Sequence, residues 1–346
     1  MSRTRLPRIA RVAILIGVIA LSAFGVVSFA GGIGIRTHGD TVVSAAPVKP
    51  TQAPAAGALR FERLANPART VARDDAGAVA ATMTDGARTV VITGPPRRLR
   101  EPKFTAAWID TSSWVRLAPR PWHAGDENAD WFTKWFAEAR GDQSPDVFAV
   151  AMQYADGAPP AKDANGVRFQ GDAAFGPVAA AGAGRLEQSD FDDYLGIGWS
   201  FPDGPKRRAN PAHYGATDCS GFVRLVYGYR LGYSLLGGSS PGPGLPRRAY
   251  AIAKSGPGVQ LIADTHTRAT DYDLLQPGDL VFFEVEGSTD QLDHVGIYLG
   301  VDNEGHHRFM SSRERANGPT FGDLGGASVL DDGGFYSKAW RTARRI

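Results

Sequence analysis

Thr217-Asp218-Cys219-Ser220-Gly221-Phe222-Val223-Arg224-Leu225-Val226-Tyr227-Gly228-Tyr229 opens with residues suited to cap a helix and runs on with apolar side chains at helical spacing. Gly232 is a natural stop for that helix. Beyond a Gly/Pro loop at residues 237–244, Leu275-Gln276-Pro277-Gly278-Asp279 reads as a turn. Three short apolar runs follow, at residues 280–285, 294–299 and 308–312, each of strand length. One helix followed by consecutive antiparallel strands predicts an α+β domain.

The helix start matters for Cys219, which is the only cysteine of the 346 residues. Unpaired N–H groups in a first helical turn favour a thiolate and can donate to an oxyanion. The alternative is a small buried hydrophobe, which needs no such place. A thiolate nucleophile also needs a base. Of the seven histidines, His294 alone opens a strongly apolar strand, Val295-Gly296-Ile297-Tyr298-Leu299, just past an acidic loop. A strand end is a rigid mount for an imidazole, although a histidine there can equally be structural.

Working outward, Arg3, Arg5, Arg8 and Arg11 precede an uncharged run from Val12 to Ile35. That run is long enough to cross a bilayer, and the arginines favour a cytoplasmic N-terminus. A cleaved signal peptide is the alternative, with small residues at Ser28 and Ala30. Either reading exports the body, to the outside of the membrane or the cell wall. Residues 36–57 form an Ala/Pro-rich spacer, 58–185 a mixed β/α accessory region of unknown role, and 186–346 the domain bearing Cys219. Setting the four N-terminal arginines aside leaves 34 basic against 36 acidic residues, which excludes a nucleic-acid footprint.

Within the accessory region, Asp85-Gly86 between two β-rich runs signals a hairpin. Asn128 is placed to cap a helix carrying Trp131, Phe132, Trp135 and Phe136 on one face, and Ser144-Pro145-Asp146 to start another with proline at its first position. The tryptophans of residues 104–136 read as core rather than as a carbohydrate-stacking surface. Residues 157–186, dense in Gly, Ala and Pro, read as a loop.

Asp218-Cys219-Ser220-Gly221-Phe222-Val223, Leu245-Pro246-Arg247, Gln276-Pro277-Gly278-Asp279-Leu280-Val281-Phe282-Phe283 and His294-Val295-Gly296-Ile297-Tyr298-Leu299-Gly300 occur in that order. Together they resemble the NlpC-type cell-wall peptidases, a bacterial papain-like family acting on peptidoglycan stem peptides. The resemblance covers residues 186–346. It implies a cysteine helix packed on a small antiparallel sheet, Cys219 as nucleophile and His294 as general base, with no metal or cofactor. It further implies that Tyr194 lines the cleft and that Asp218 and Ser220 recognise the amino end of a trimmed stem peptide; for Asp218 a plain helix cap, and for Tyr194 core packing, are the alternatives.

The family's third polar residue orients the imidazole from the next strand. Here Met310 takes that position, and a thioether cannot do the work. By alternation His306 and Ser312 share its side, Ser312 being nearer, and a backbone carbonyl or water could also serve. The implied activity is hydrolysis of the D-glutamyl to diamino acid bond. The alternatives are an amidase or acyltransferase on another amide or ester, or an inactive wall-binding protein. The expected partners are stem peptides and, through the N-terminal helix, the cytoplasmic membrane, with the body a monomer.

Overall fold

Asp85 and Gly86 turn the chain between β3 (Val79–Thr84) and β4 (Thr89–Arg100), with Gly86 at φ 81°, a left-handed conformation that glycine adopts without strain. In this computed structural model residues 59–346 are described, apart from 183, 205 and 287–290. The expected targeting segment and spacer (1–57) lie outside the described residues, among which no helix is long and apolar enough to cross a membrane.

β1 (Arg60–Leu64), β2 (Arg69–Arg73), β3, β4 and β5 (Trp108–Leu117) form a five-stranded antiparallel meander. The tryptophan-rich stretch thus begins with a strand carrying Trp108 and Trp114 before it turns helical. Helix α1 (Asp130–Gly141) starts two residues after Asn128, with Ala129 at its N-cap and no side-chain cap. It buries Phe132 and Phe136 against Trp122, Met83 and Val90, while Trp131 and Trp135 stay half-buried at the margin. Helix α2 (Val147–Met152) is capped by Asp146, so Pro145 precedes the cap instead of entering the helix. The Gly/Ala/Pro-rich stretch contains a small hairpin of β6 (Ala161–Lys162) and β7 (Arg168–Gln170).

After helix α3 (Phe191–Leu195) come α4 (Cys219–Val223) and α5 (Ala249–Ser255). Helix α4 continues as a π-helix over Arg224–Arg230, and Gly232, at φ 76°, donates its N–H to Gly228 as the helical run ends. The remaining elements are β8 (Val259–Ile262), β9 (Leu280–Phe283), β10 (His294–Val301), β11 (His307–Arg313), β12 (Gly318–Thr320), α6 (Phe335–Ala339) and β13 (Trp340–Arg345). Their strands make one sheet in the order β12-β11-β10-β9-β13-β8, so the three strands read from sequence sit side by side in it.

Helix α4 lies against β10 and β11. Phe222, Val223 and Val226 bury their side chains in one cluster with Val295, Ile297 and Met310 of the sheet. Each large apolar side chain so buried is worth about 1.5–3 kcal/mol relative to water. The same cluster includes Leu99, Ile109, Val115 and Phe148, so residues on both sides of position 186 share a core.

Candidate active site

Asp218 caps α4: its Oδ1 accepts from the Gly221 N–H at 2.7 Å, which puts Cys219 at the first helical position. The thiol is 2% exposed. Its Sγ donates toward the Asp293 carbonyl at 3.7 Å and receives the Val295 N–H, so both contacts fall on main chain flanking His294. Burial pushes the thiol well above its ordinary value, and the carboxylates of Asp218 and Glu187 add to the shift.

His294 begins β10, opposite Phe283 of β9. Its ring lies 5.8 Å from that of Phe283 and 5.5 Å from that of Tyr336. Being 7% exposed, it is pulled down to about 3, first by burial and then by the charge of Arg313. Thiol and imidazole are both neutral in this closed arrangement, and no hydrogen bond joins them. Catalytic hydrogen bonds often tighten only when substrate is present.

The imidazole has a fixed partner on its far side. Ser311 Oγ stands 2.9 Å from His294 Nε2 and donates its one proton to the Val295 carbonyl at 2.6 Å. An oxygen whose proton is spent can only accept, so Nε2 carries the hydrogen and Nδ1 keeps the lone pair. A neutral imidazole held in this tautomer is equipped to take a proton at Nδ1.

Ser311 was missed in the sequence, and the reason is geometric. Residues opposite one another in an antiparallel pair share a face, and Ile297 faces Met310 while Tyr298 faces Phe309. Met310 therefore belongs to the face of Ile297, in the core against α4, and Ser311 to the face of His294. The register slips between Tyr298 and Gly300, a β-bulge that no alternation count reveals.

The other two candidates for this position are engaged elsewhere. Ser312 Oγ donates to the Thr217 carbonyl at 2.6 Å, and His306 Nδ1 lies 3.1 Å from Asp331, at the hairpin end of β11. This corrects the expectation that His306 or Ser312 faces the imidazole.

The three residues expected to touch substrate are also occupied. Tyr194 is fully buried, and its hydroxyl donates to the Gly171 carbonyl at 2.7 Å, which fits the core-packing alternative and presents no polar atom to a cleft. Asp218 takes both guanidinium nitrogens of Arg247, at 2.6 and 3.2 Å, and Ser220 Oγ bonds Asp218 and Arg247 at 3.2 and 2.8 Å. Behind them Asp190, wholly buried, gathers Arg207, Arg224 and Arg247, which hold its carboxyl well below the usual range.

A cavity of about 480 Å³ is lined by Val178, Gly182, Gly184, Arg185, Glu314 and Arg315, and neither Cys219 nor His294 borders it. Among the described residues no cluster of His, Cys, Asp or Glu is arranged to hold a metal ion.

Residues 204–321 match the model of the NlpC/P60 family. The chain is also similar to an NlpC/P60 family protein from Bacillus cereus ATCC 10987, known from a crystal structure. The two are 15% identical over 83% of this chain and 78% of that one, with a TM-score of 0.24. No curated protein matches the chain.

Proposed function

We propose that this chain, whose C-terminal domain is of the NlpC/P60 type, is a cysteine hydrolase cutting an amide bond of peptidoglycan stem peptides with Cys219 as nucleophile and His294 as base. The bond we assign is that between D-glutamate and the diamino acid. One observation carries the roles: the only thiol sits at a helix start against the strand that His294 opens, while Ser311 leaves Nδ1 of that histidine free to accept a proton.

In the first half-reaction the thiol proton passes to Nδ1 and the sulfur attacks the carbonyl carbon. The tetrahedral oxyanion collapses with loss of the amine, which takes the proton back from Nδ1, and a thioester remains. A water then gives its proton to Nδ1 and attacks the thioester. Collapse releases the acid and returns the proton to sulfur. Since thiol and imidazole are both buried and neutral when closed, substrate entry has to open the site before the proton moves.

Asp218 and Ser220 act on substrate only if it displaces Arg247, so we assign them to holding the helix start, and Tyr194 to the core. Export by the N-terminal segment and a monomeric body complete the reading. Cys219→Ala is expected to fold normally and to abolish release of cleaved peptides from purified wall fragments, followed by mass spectrometry. Turnover near the wild-type rate would place the nucleophile elsewhere.

A further inference from the structure

Cys219 stands between two residues gripped by the same guanidinium. Arg247 Nη2 lies 2.6 Å from Asp218 Oδ2, and Nη1 lies 3.2 Å from Asp218 Oδ1 and 2.8 Å from Ser220 Oγ. Its Nε lies 3.4 Å from Asp190, whose other partners are Arg207 and Arg224. The Asp218 side chain is 1% exposed and that of Arg247 10%, so little water screens the pair.

We propose that Arg247 is a positioning residue for Cys219: it clamps the two chain neighbours of the cysteine and cancels the negative charge that Asp218 holds beside the sulfur. This rests on the reading of Cys219 as nucleophile. A carboxylate next to a thiol opposes the thiolate, and the helix start needs that carboxylate as its cap. A buried cation paired with it keeps the cap and removes the opposition.

The groups around the sulfur support this division. Asp218 and Glu187 act on it as anions and Arg247 as the cation, while Tyr336, whose ring lies 5.5 Å from that of His294, is a neutral neighbour. Arg313 points its charge at His294 and Tyr336, and the Asp293 carboxylate is turned away, accepting from the Val285 and Glu286 N–H groups. Arg207 and Arg224 are matched by Asp190 and Asp192. Removing Arg247 leaves the thiol facing two carboxylates.

The test is a titration of the thiolate by its ultraviolet absorbance in the full chain, with Cys219→Ser as the blank; the signal is unique because the chain has one cysteine. Arg247→Gln is expected to raise the midpoint by about one unit, a roughly tenfold loss of thiolate at any pH below it. Asp218→Asn keeps a capping side chain and leaves Arg247 only Asp190, which it shares with Arg207 and Arg224, so the midpoint is expected to fall below that of the wild type. The double substitution is expected to return close to wild type.

A clamp that only holds the helix in place predicts shifts of one sign, because loosening admits water in either variant. Single substitutions that move the midpoint in the same direction, or not at all, overturn the proposal. If Arg247→Gln does not fold, Asp218→Asn decides alone, and an unmoved or raised midpoint is then the overturning result. No substrate enters this measurement, so its failure is separate from a failure of the hydrolase assignment.

Discussion

Ser311 has one proton, and its donation to the Val295 carbonyl determines which nitrogen of His294 is left basic. Ser311→Ala is therefore expected to slow single-turnover acylation of Cys219 by about 10- to 100-fold, because the imidazole loses both its tautomer and its orientation. His306→Ala, whose ring sits by Asp331, is expected to leave that rate within about twofold. Equal losses in the two variants would refute the assignment of the orienting role. The helix start at Cys219 and the strand start at His294 were legible in the sequence, because element starts are marked by caps and apolar runs. Ser311 was not, since its face depends on a bulge in the neighbouring strand. The burial of Tyr194 depends on packing with Tyr154, 40 residues upstream and 5.2 Å away ring to ring, which no local pattern encodes.

The element that carries the thiol is held by close approach as much as by its cap. A Cβ added at Gly221 would lie 2.5 Å from the Ser189 carbonyl oxygen and 2.6 Å from Thr217 Oγ1. Alanine normally stabilises a helix interior by about 1 kcal/mol over glycine. Here Gly221→Ala is expected to reverse that sign and cost about 2–3 kcal/mol, since backbone rather than a flexible side chain must yield. Urea unfolding checks it, and a stability equal to or above wild type would show that the helix can shift. The helix itself was legible from spacing, as were β9, β10 and β11. Strands β8, β12 and β13 were not, because short strands interleaved with glycines and arginines carry little alternation of their own. β13 reads Trp-Arg-Thr-Ala-Arg-Arg, and Arg344 and Arg345 are nonetheless buried, the second paired with Asp279 at 2.7 Å.

Across the whole described body, the meander and the second sheet meet at Glu101, just past β4. It is 6% exposed; Oε2 accepts from Thr320 Oγ1 and the Phe321 N–H at 2.8 Å each, and Oε1 has no partner. Burial pushes it up to about 7 from an ordinary 4.5, against the pull of those two donors and of Arg313. A carboxyl whose value is raised on folding stabilises below its unfolded value and loses that contribution as pH climbs through about 7. For His294, depressed to about 3, the contribution is present above the unfolded value of 6.5 and is lost as pH falls toward 3. Glu101→Gln is therefore expected to gain up to about 3 kcal/mol over wild type at roughly pH 8.5, and nothing near pH 4.5. Urea midpoints across that range test it, and parallel profiles for the two proteins would show that Glu101 is not protonated in the native state. Nothing in the local sequence around Glu101 announces this, since its partners are more than two hundred residues away.

The sheet order has a consequence for how the molecule is made. β13 lies between β9 and β8, yet it is the last strand in chain order. Until β13 joins, β8 has no strand to pair with and β9 presents one bare edge. The platform under His294 can close only when residues 340–345 arrive. Until then the waiting edges of these two strands are open to pairing with another chain, and they are what a holding chaperone would have to cover.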